Sequence, residues 1–266
     1  MERRQNIYFY HSNHKDIADK VEEVQELAKG YGFTPVEHPE AANIIVSIGN
    51  DGTFLQAVQK TGFRQDCLYA GISVSNHLYM YCDFHLDDLP KMIDAMKNDQ
   101  IEVRRYPTIK VTIDDLSSFH CLNEFSIKTS VIKTIEMDVF IDDFHFETFR
   151  GDGMIISTPT GSTAYNKSVS GAVVDPLLPC MQVSELASLN NNRYRTLGSS
   201  FILSGERTLT LKQLIDSNYY PVMGIDNEAL SIQHVERVDV ELSDKVIKTI
   251  KLKDNSFWQK VKRSFL

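Results

Sequence analysis

Through its first hundred residues the chain alternates short apolar runs with amphipathic stretches, the pattern of strands and helices in turn. Residues 7–10 read as a strand, and Ile17, Val21, Val24 and Ala28 then fall at helical spacing. After a short run at 33–36 comes Asn43-Ile44-Ile45-Val46-Ser47-Ile48, β-branched and of the kind buried on both faces of a parallel sheet. It ends at Gly49. A helix starting near Thr53, a strand over 68–72 and a helix over 86–96 complete an α/β pattern.

From about residue 101 the texture becomes β-rich, with strands expected over 109–113, 119–128 and 134–149, the last broken by Asp142-Asp143 as a hairpin turn. Further strands are expected at 201–204, 208–211, 238–242 and 246–252. The end, 257–266, is helical in pattern, with Phe257, Val261 and Phe265 on one face. Two domains follow: an α/β domain over 1–100 and a β-rich domain over 101–252. No internal repeat at a fixed period is present.

An apolar content of 42% with 24% charged residues suits a soluble globular chain and excludes a disordered one. The apolar runs are too short to span a bilayer, and Met1-Glu2-Arg3-Arg4-Gln5-Asn6 lacks a signal peptide's apolar region, so a cytoplasmic protein without membrane partners is expected. Cys67, Cys82, Cys121 and Cys180 lie scattered in apolar surroundings and read as reduced core residues. A net charge of −8 argues against a nucleic-acid partner, though not against a local basic patch for a phosphorylated ligand. His11-x-x-His14 stands alone and reads as a solvated helix start, giving no metal site. Lys251 and Lys253, and the tail residues Lys260, Lys262 and Arg263, read as solvated faces.

Three segments carry candidate chemistry. The turn Gly49-Asn50-Asp51-Gly52-Thr53 lies between a buried strand and a helix start, where ligands bind in open α/β sheets. There Asp51 is placed to accept a proton from an attacking hydroxyl, while the N–H groups of Gly52 and Thr53 hold a donor's phosphates. Ordinary turn chemistry with a helix cap is the other reading. Asn123-Glu124, inside an apolar strand, offers an amide and a carboxylate to ribose hydroxyls, or else marks a strand-end turn. Arg150-Gly151-Asp152-Gly153 leads through Met154-Ile155-Ile156-Ser157 to Thr158-Pro159-Thr160-Gly161-Ser162-Thr163-Ala164-Tyr165-Asn166-Lys167-Ser168, a strand bracketed by glycine- and hydroxyl-rich loops. Such loops admit a flat polar ligand, with Asp152 on an amide or ribose and Tyr165 against a ring; they also suit plain tight turns.

These three segments, together and in this order, resemble the NAD kinase family over essentially the whole chain. The stretch from Gly151 to Tyr165 is specific to that family, whereas the Gly49–Thr53 turn is shared with diacylglycerol and sphingosine kinases and phosphofructokinases. The resemblance implies a Rossmann-like α/β domain, a β-rich sandwich domain, a C-terminal helix (253–266) returning to the first domain, and an active site in the cleft between the two. It implies that Asp51 deprotonates the 2′-hydroxyl of the adenosine ribose of NAD as that oxygen attacks the γ-phosphate of ATP, with Gly49, Asn50, Gly52 and Thr53 at the donor and Mg²⁺ bridging donor oxygens. Asp51 and Gly52, with Asn123, Glu124, Asp152, Thr163, Ala164, Tyr165, Asn166, Lys167 and Ser168, match positions that hold NAD. Arg150, Thr160 and Ala187 match less central ones, and Asp226 lies toward the nicotinamide end. A homodimer or homotetramer is implied as well.

Two places depart from the family pattern. Asn50 replaces a glycine, a substitution suited to a left-handed backbone. Gly71-Ile72-Ser73-Val74-Ser75-Asn76-His77-Leu78-Tyr79 replaces a Gly-His-Leu-Gly-Phe segment. Two rivals remain at this point: a lipid kinase of the same superfamily, against which the hydroxyl-rich 157–168 segment argues, and a non-catalytic NAD-binding regulator, against which the retained Asp51 argues.

Overall fold

A computed structural model describes residues 5–11, 15–75, 77–130, 132–213, 221–230 and 235–266. His14 and Asn76 lie outside the described residues. The chain divides into two compact units, one formed by residues 1–105 and 246–266 and the other by 106–245. The sequence pattern placed the divisions at 100 and 252. The observed divisions fall inside two long strands, β6 (Ile101–Ile113) and β17 (Arg237–Leu252), which have no turn there to mark a boundary.

The first unit is an α/β layer. In chain order it holds β1 (Asn6–His11), α1 (Lys15–Gly30), β2 (Thr34–Pro35), β3 (Ile44–Gly49), α2 (Asp51–Lys60), β4 (Leu68–Ser73), β5 (Cys82–His85) and α3 (Leu89–Lys97). Its strands are parallel in the order β2-β1-β3-β4-β5, and β17 joins β4 in parallel through Thr249 and Tyr69. All six residues of β3 are buried, as a strand covered on both faces must be. Val21 and Val24 of α1 and Ala95 of α3 pack with Phe9, Ile44, Val46 and Ile72, while α2 buries Phe54, Leu55, Ala57 and Val58. Each such side chain contributes roughly 1.5–3 kcal/mol when fully buried. The 86–96 helix begins only at Leu89, with Pro90 in its first turn. The last helix, Phe257–Phe265, also belongs to this unit and starts from a capping box between Ser256 and Gln259.

The second unit is a β-sandwich. It adds β7 (Ser117–Cys121), β8 (Glu124–Lys128), β9 (Ile135–Ile141), β10 (Phe144–Gly151), β11 (Gly153–Ser157), a one-turn α4 (Tyr165–Ser168), β12 (Cys180–Leu186), β13 (Phe201–Ser204), β14 (Thr208–Gln213), β15 (Val222–Ile225) and β16 (Glu228–Leu230). The Phe257–Phe265 helix is thus α5. One antiparallel sheet runs β13-β12-β11-β8-β15-β16, and β10, β9, β14 and the first part of β17 form another antiparallel array. Alternation along the strands sends Phe125, Ile127, Met154, Ile156 and Val183 from one side and Met137, Val139, Leu209 and Val240 from the other into a single core. Asp142 takes a left-handed conformation (φ 55°) at the β9–β10 turn, as the Asp-Asp pair predicts.

All four cysteines are free and buried. Among the described residues no helix is long and apolar enough to cross a membrane.

Candidate active site

In the first unit the β3–α2 turn presents Asp51 as the first residue of α2. Asn50 caps that helix: its Oδ1 accepts the Thr53 N–H at 3.0 Å and the Thr53 Oγ1 accepts the Asn50 N–H at 3.3 Å. Two expectations are corrected here. Asn50 is extended (φ −121°, ψ −171°), so a left-handed backbone is not what suits it to the site; its side chain is the cap. The Thr53 N–H is committed to that cap rather than offered to a phosphate.

The Asp51 carboxylate turns inward. Oδ1 accepts the Tyr81 N–H at 2.7 Å and Oδ2 the Met80 N–H at 3.0 Å. The chain passes there because residue 71 is glycine: a Cβ at that position would sit 2.7 Å from the Tyr81 carbonyl oxygen. Burial raises the Asp51 pKa above the ordinary carboxylate value, while the Tyr81 and Met80 N–H groups and the charges of Lys251 and Lys260 oppose that rise. A cavity of about 610 Å³ opens beside Asp51, lined also by His77, Tyr79, Met80, Arg263 and Phe265. Ser73, fully buried, steadies the preceding loop by donating to the His77 carbonyl at 2.7 Å.

The lysines behind this site overturn the solvated-face reading for two residues. Lys251 and Lys260 are 0% and 1% exposed. Lys260 donates to the Met80 carbonyl at 2.9 Å and to Asp83, and Lys251 donates to the Tyr81 carbonyl and lies 3.5 Å from Asp83. Asp83, 3% exposed, also accepts the Leu252 N–H at 2.9 Å. A buried ammonium needs a carboxylate and further acceptors, and here each has them. Lys253, Lys262 and Arg263 are exposed as expected. Sequence patterning missed Asp83, Lys251 and Lys260; the one local signal was a charged residue in the middle of an apolar stretch, as at Asp83 in Tyr81-Cys82-Asp83-Phe84.

In the second unit Asn123 and Glu124 do not lie inside one strand. The chain bends at Leu122-Asn123 between β7 and β8 because the Asp226 carboxylate collects the N–H groups of Leu122, Asn123 and Glu124 at 3.1, 2.7 and 3.2 Å. Asp226 itself sits in a left-handed turn (φ 50°) between β15 and β16. The 158–163 loop clasps the same bend. Thr158 and Thr160 hydroxyls donate to the Leu122 carbonyl at 2.6 and 3.2 Å, and the Thr158 N–H reaches the Asn123 carbonyl at 2.8 Å. Gly161 packs directly on the Asn123 backbone, where a Cβ would overlap it. Thr160 is therefore directed inward, and Thr163 returns a bond of 3.1 Å to the Thr160 carbonyl.

Glu124 is 7% exposed and its Oε2 has no partner among the described residues. Burial, then the nearby Asp226 charge, pushes its pKa up to about 8, with the Tyr165 N–H opposing. A buried carboxyl oxygen of this kind calls for a hydrogen-bonding partner. Register places Ser157 opposite Glu124 and Gly153 opposite Lys128, so one sheet face runs from Glu124 to Lys128. Asp152 is exposed at the Lys128 end, its carbonyl accepting the Thr129 N–H at 2.8 Å. Lys128, which the motif reading did not single out, sets its ammonium 5.5 Å from the Tyr165 ring centroid. Period-two alternation through Glu124, Ser126 and Lys128 is the signal that finds it.

Asn166 is fully buried, accepting the Ser184 hydroxyl at 2.6 Å, whereas Lys167 and Ser168 are exposed and Ser168 donates to the Tyr165 carbonyl at 2.7 Å. Arg150 pairs with Glu136 and stacks 4.1 Å from the Tyr194 ring centroid. Ala187, exposed and left-handed (φ 44°), lies on the strand-end loop next to Arg150.

A family model described as the ATP-NAD kinase C-terminal domain matches residues 122–252. The chain is 63% identical to NAD kinase 2 of Bacillus subtilis over 100% of this chain and 99% of that protein. It is also 63% identical to NAD kinase 2 of Geobacillus kaustophilus, over 99% and 98%. Yeast NADH kinase complexed with NADH superposes with a TM-score of 0.79 at 17% identity, covering 98% of this chain and 87% of that one. An NAD kinase from Archaeoglobus fulgidus in complex with ATP gives 0.75 at 20% identity, covering 97% and 98%. At those identities the structural likeness bears on the fold, and the α/β layer followed by a β-sandwich is the fold they share. Identity this high along the full length, on top of the Asp51 turn and the Asn123–Glu124 bend, establishes that the chain belongs to the NAD kinase family.

Proposed function

We propose that this protein transfers the γ-phosphate of ATP to the 2′-hydroxyl of the adenosine ribose of NAD, forming NADP. The observation that carries the reading is Asp51, a carboxylate at the start of α2 whose two oxygens are fixed by the Met80 and Tyr81 N–H groups while its pKa is raised. A base whose pKa lies closer to working pH accepts a proton more effectively. Asp51 takes the proton of the 2′-hydroxyl as that oxygen bonds to the γ-phosphorus; the bond from phosphorus to the β,γ-bridging oxygen breaks, and ADP leaves with its electron pair. The N-terminal end of α2 supplies positive potential for the donor phosphates at Gly49, Asn50 and Gly52.

Glu124, predominantly protonated at neutral pH, and the Asn123 amide address ribose hydroxyls, and Tyr165, flanked by Lys128, lies against a ring. Asp152, Thr163, Ala164, Lys167 and Ser168 line the same ligand. Thr160, Asn166 and Asp226 act from behind, by shaping the backbone that these residues occupy. Arg150 and Ala187 border the far end.

Magnesium fits this chain as part of Mg-ATP. Among the described residues no group of three His, Cys, Asp or Glu side chains is placed to hold a metal. Mg²⁺ characteristically binds through substrate phosphates and water. We assign the protein to the cytoplasm and to a homodimer or homotetramer; light scattering tests the latter. The decisive assay is NADP formation from NAD and Mg-ATP, read through an NADP-specific dehydrogenase, with polyphosphate as a parallel donor. No NADP with either donor, from protein that binds NAD, overturns the reading.

A further inference from the structure

The two buried lysines of the first unit do nothing in the reaction just described, yet Lys260 ends on a peptide that holds its base and Lys251 on the peptide after it. The Met80 carbonyl accepts from Lys260 at 2.9 Å, and the N–H of that same amide, belonging to Tyr81, donates to Asp51 Oδ1 at 2.7 Å. An amide whose oxygen accepts a charge-assisted hydrogen bond becomes a stronger N–H donor, so a chain Lys260–amide–Asp51 is cooperative. The next carbonyl, that of Tyr81, accepts from Lys251, whose ammonium also faces the stacked rings of Phe54 and Tyr81 at 5.8 and 6.0 Å. Asp83 bridges the two lysines.

We infer that Lys260, on the C-terminal helix, is a positioning residue for Asp51, polarising the Met80–Tyr81 amide so that the base is held in one orientation and kept ionised. The inference rests on the assignment of Asp51 as the base. Its geometry belongs wholly to one unit and spans the chain from residue 51 to residue 260. Three elements supply the groups: Lys260 from α5, Lys251 from the end of β17, and Asp83 with the adjoining Cys82 from β5. Arg104 of β6 adds its charge near Lys260. Burial and the Lys251 charge pull the Lys260 ammonium down to about 7 and Asp83 opposes this, so the charge depends on its carboxylate and is present in full only below that pH.

The test compares the full-length protein with its Lys260→Met, Lys260→Gln and Lys260→Arg variants, following kcat, KM and the pH profile of NADP formation. Loss of the ammonium is expected to lower kcat by roughly ten- to a hundredfold with KM for NAD changed less than about threefold. It is also expected to move the acidic limb of log kcat to higher pH, and Lys260→Arg restores most of both. Carbon-13 titration of the Asp51 carboxyl gives the same shift without turnover, and Lys260→Gln, which keeps a hydrogen-bond donor, serves if Lys260→Met does not fold. In an Asp51→Asn background Lys260→Gln is expected to add nothing further to the loss. An unmoved acidic limb and carboxyl titration in a folded Lys260→Gln protein overturn the inference while leaving Asp51 as the base. Unchanged turnover in Asp51→Asn alone overturns the assignment of the base, and the Lys260 inference with it.

Discussion

Two buried carboxyl groups, one in each unit, have been given opposite surroundings. Asp51 has both oxygens bonded to N–H groups and two ammonium charges behind them, which offset part of the cost of burial, although its pKa stays raised. Glu124 has a neighbouring carboxylate, Asp226, no lysine among the groups that shift it, and an oxygen left over. On the proposed function, the same functional group serves as a proton acceptor in one place and a hydrogen-bonding recognition element in the other. Environment decides how a buried carboxyl group behaves.

The comparison is broken most directly at Asp51. Asp51→Asn keeps the size and one acceptor but removes the base, so kcat for NADP formation is expected to fall by about 10²–10⁴-fold with NAD binding, followed by calorimetry, retained. Next in size is the ionic support. Asp83→Asn leaves two buried lysines without their carboxylate, and loss of one partner of a buried pair costs about 3–5 kcal/mol, read as a lower denaturation midpoint at pH 7. The Asp83 pKa is lowered from 3.8: burial alone raises it, and Lys251 and Lys260 more than reverse that. A depressed pKa contributes stability that is present above the unfolded value and lost as pH falls through the folded one. The gap between Asp83→Asn and the parent is therefore expected to close below about pH 4; a constant gap down to pH 3 contradicts the pairing.

Glu124 supplies the converse experiment. Its folded pKa, about 8, lies above the ordinary glutamate value of 4.5, so the folded state binds the extra proton and stability falls as pH rises through that window. Glu124→Gln removes the titration. It is expected to be more stable than the parent at pH 8, with the advantage gone at pH 5, while KM for NAD rises by roughly ten- to a hundredfold as the ribose loses a partner. A variant that matches the parent in stability at both pH values shows that Glu124 ionises normally, and the contrast with Asp51 disappears.

How much of this was legible follows the range of the interactions. The β3–turn–α2 unit and the β9–β10 hairpin are written locally, in a β-branched run and in turn residues, and the structure has them where the pattern puts them. What failed was non-local. The 119–128 run looks continuous because Leu122 is apolar; the bend is imposed by Asp226, a hundred residues on. Lys251 and Lys260 carry the local pattern of solvated lysines, and Asp83 with the Met80 and Tyr81 carbonyls, far away in the chain, makes their burial possible. Ser243-Asp244 resembles a turn, yet β17 continues through it, since partly exposed positions of a strand tolerate polar residues. β5 escapes the pattern because its buried Asp83 reads locally as a loop.

The smallest effect tests whether Asp51 is held from the front or from behind. Asn50 joins the cap of α2 to the residue before the base, and the family glycine at this position cannot make that cap. Asn50→Ala is expected to cost about 1 kcal/mol of unfolding free energy and Asn50→Gly only a few tenths, because glycine suffers less at a cap than alanine does. Amide exchange locates the loss. The Thr53 N–H, freed from Asn50 Oδ1, should exchange faster in both variants, while the Tyr81 N–H, which answers to Asp51 and the Lys260-bonded amide, should keep its protection. If Tyr81 loses protection along with Thr53, the cap and not the lysine cluster is what orients Asp51, and the difference between the two carboxyl groups would then begin at the helix start.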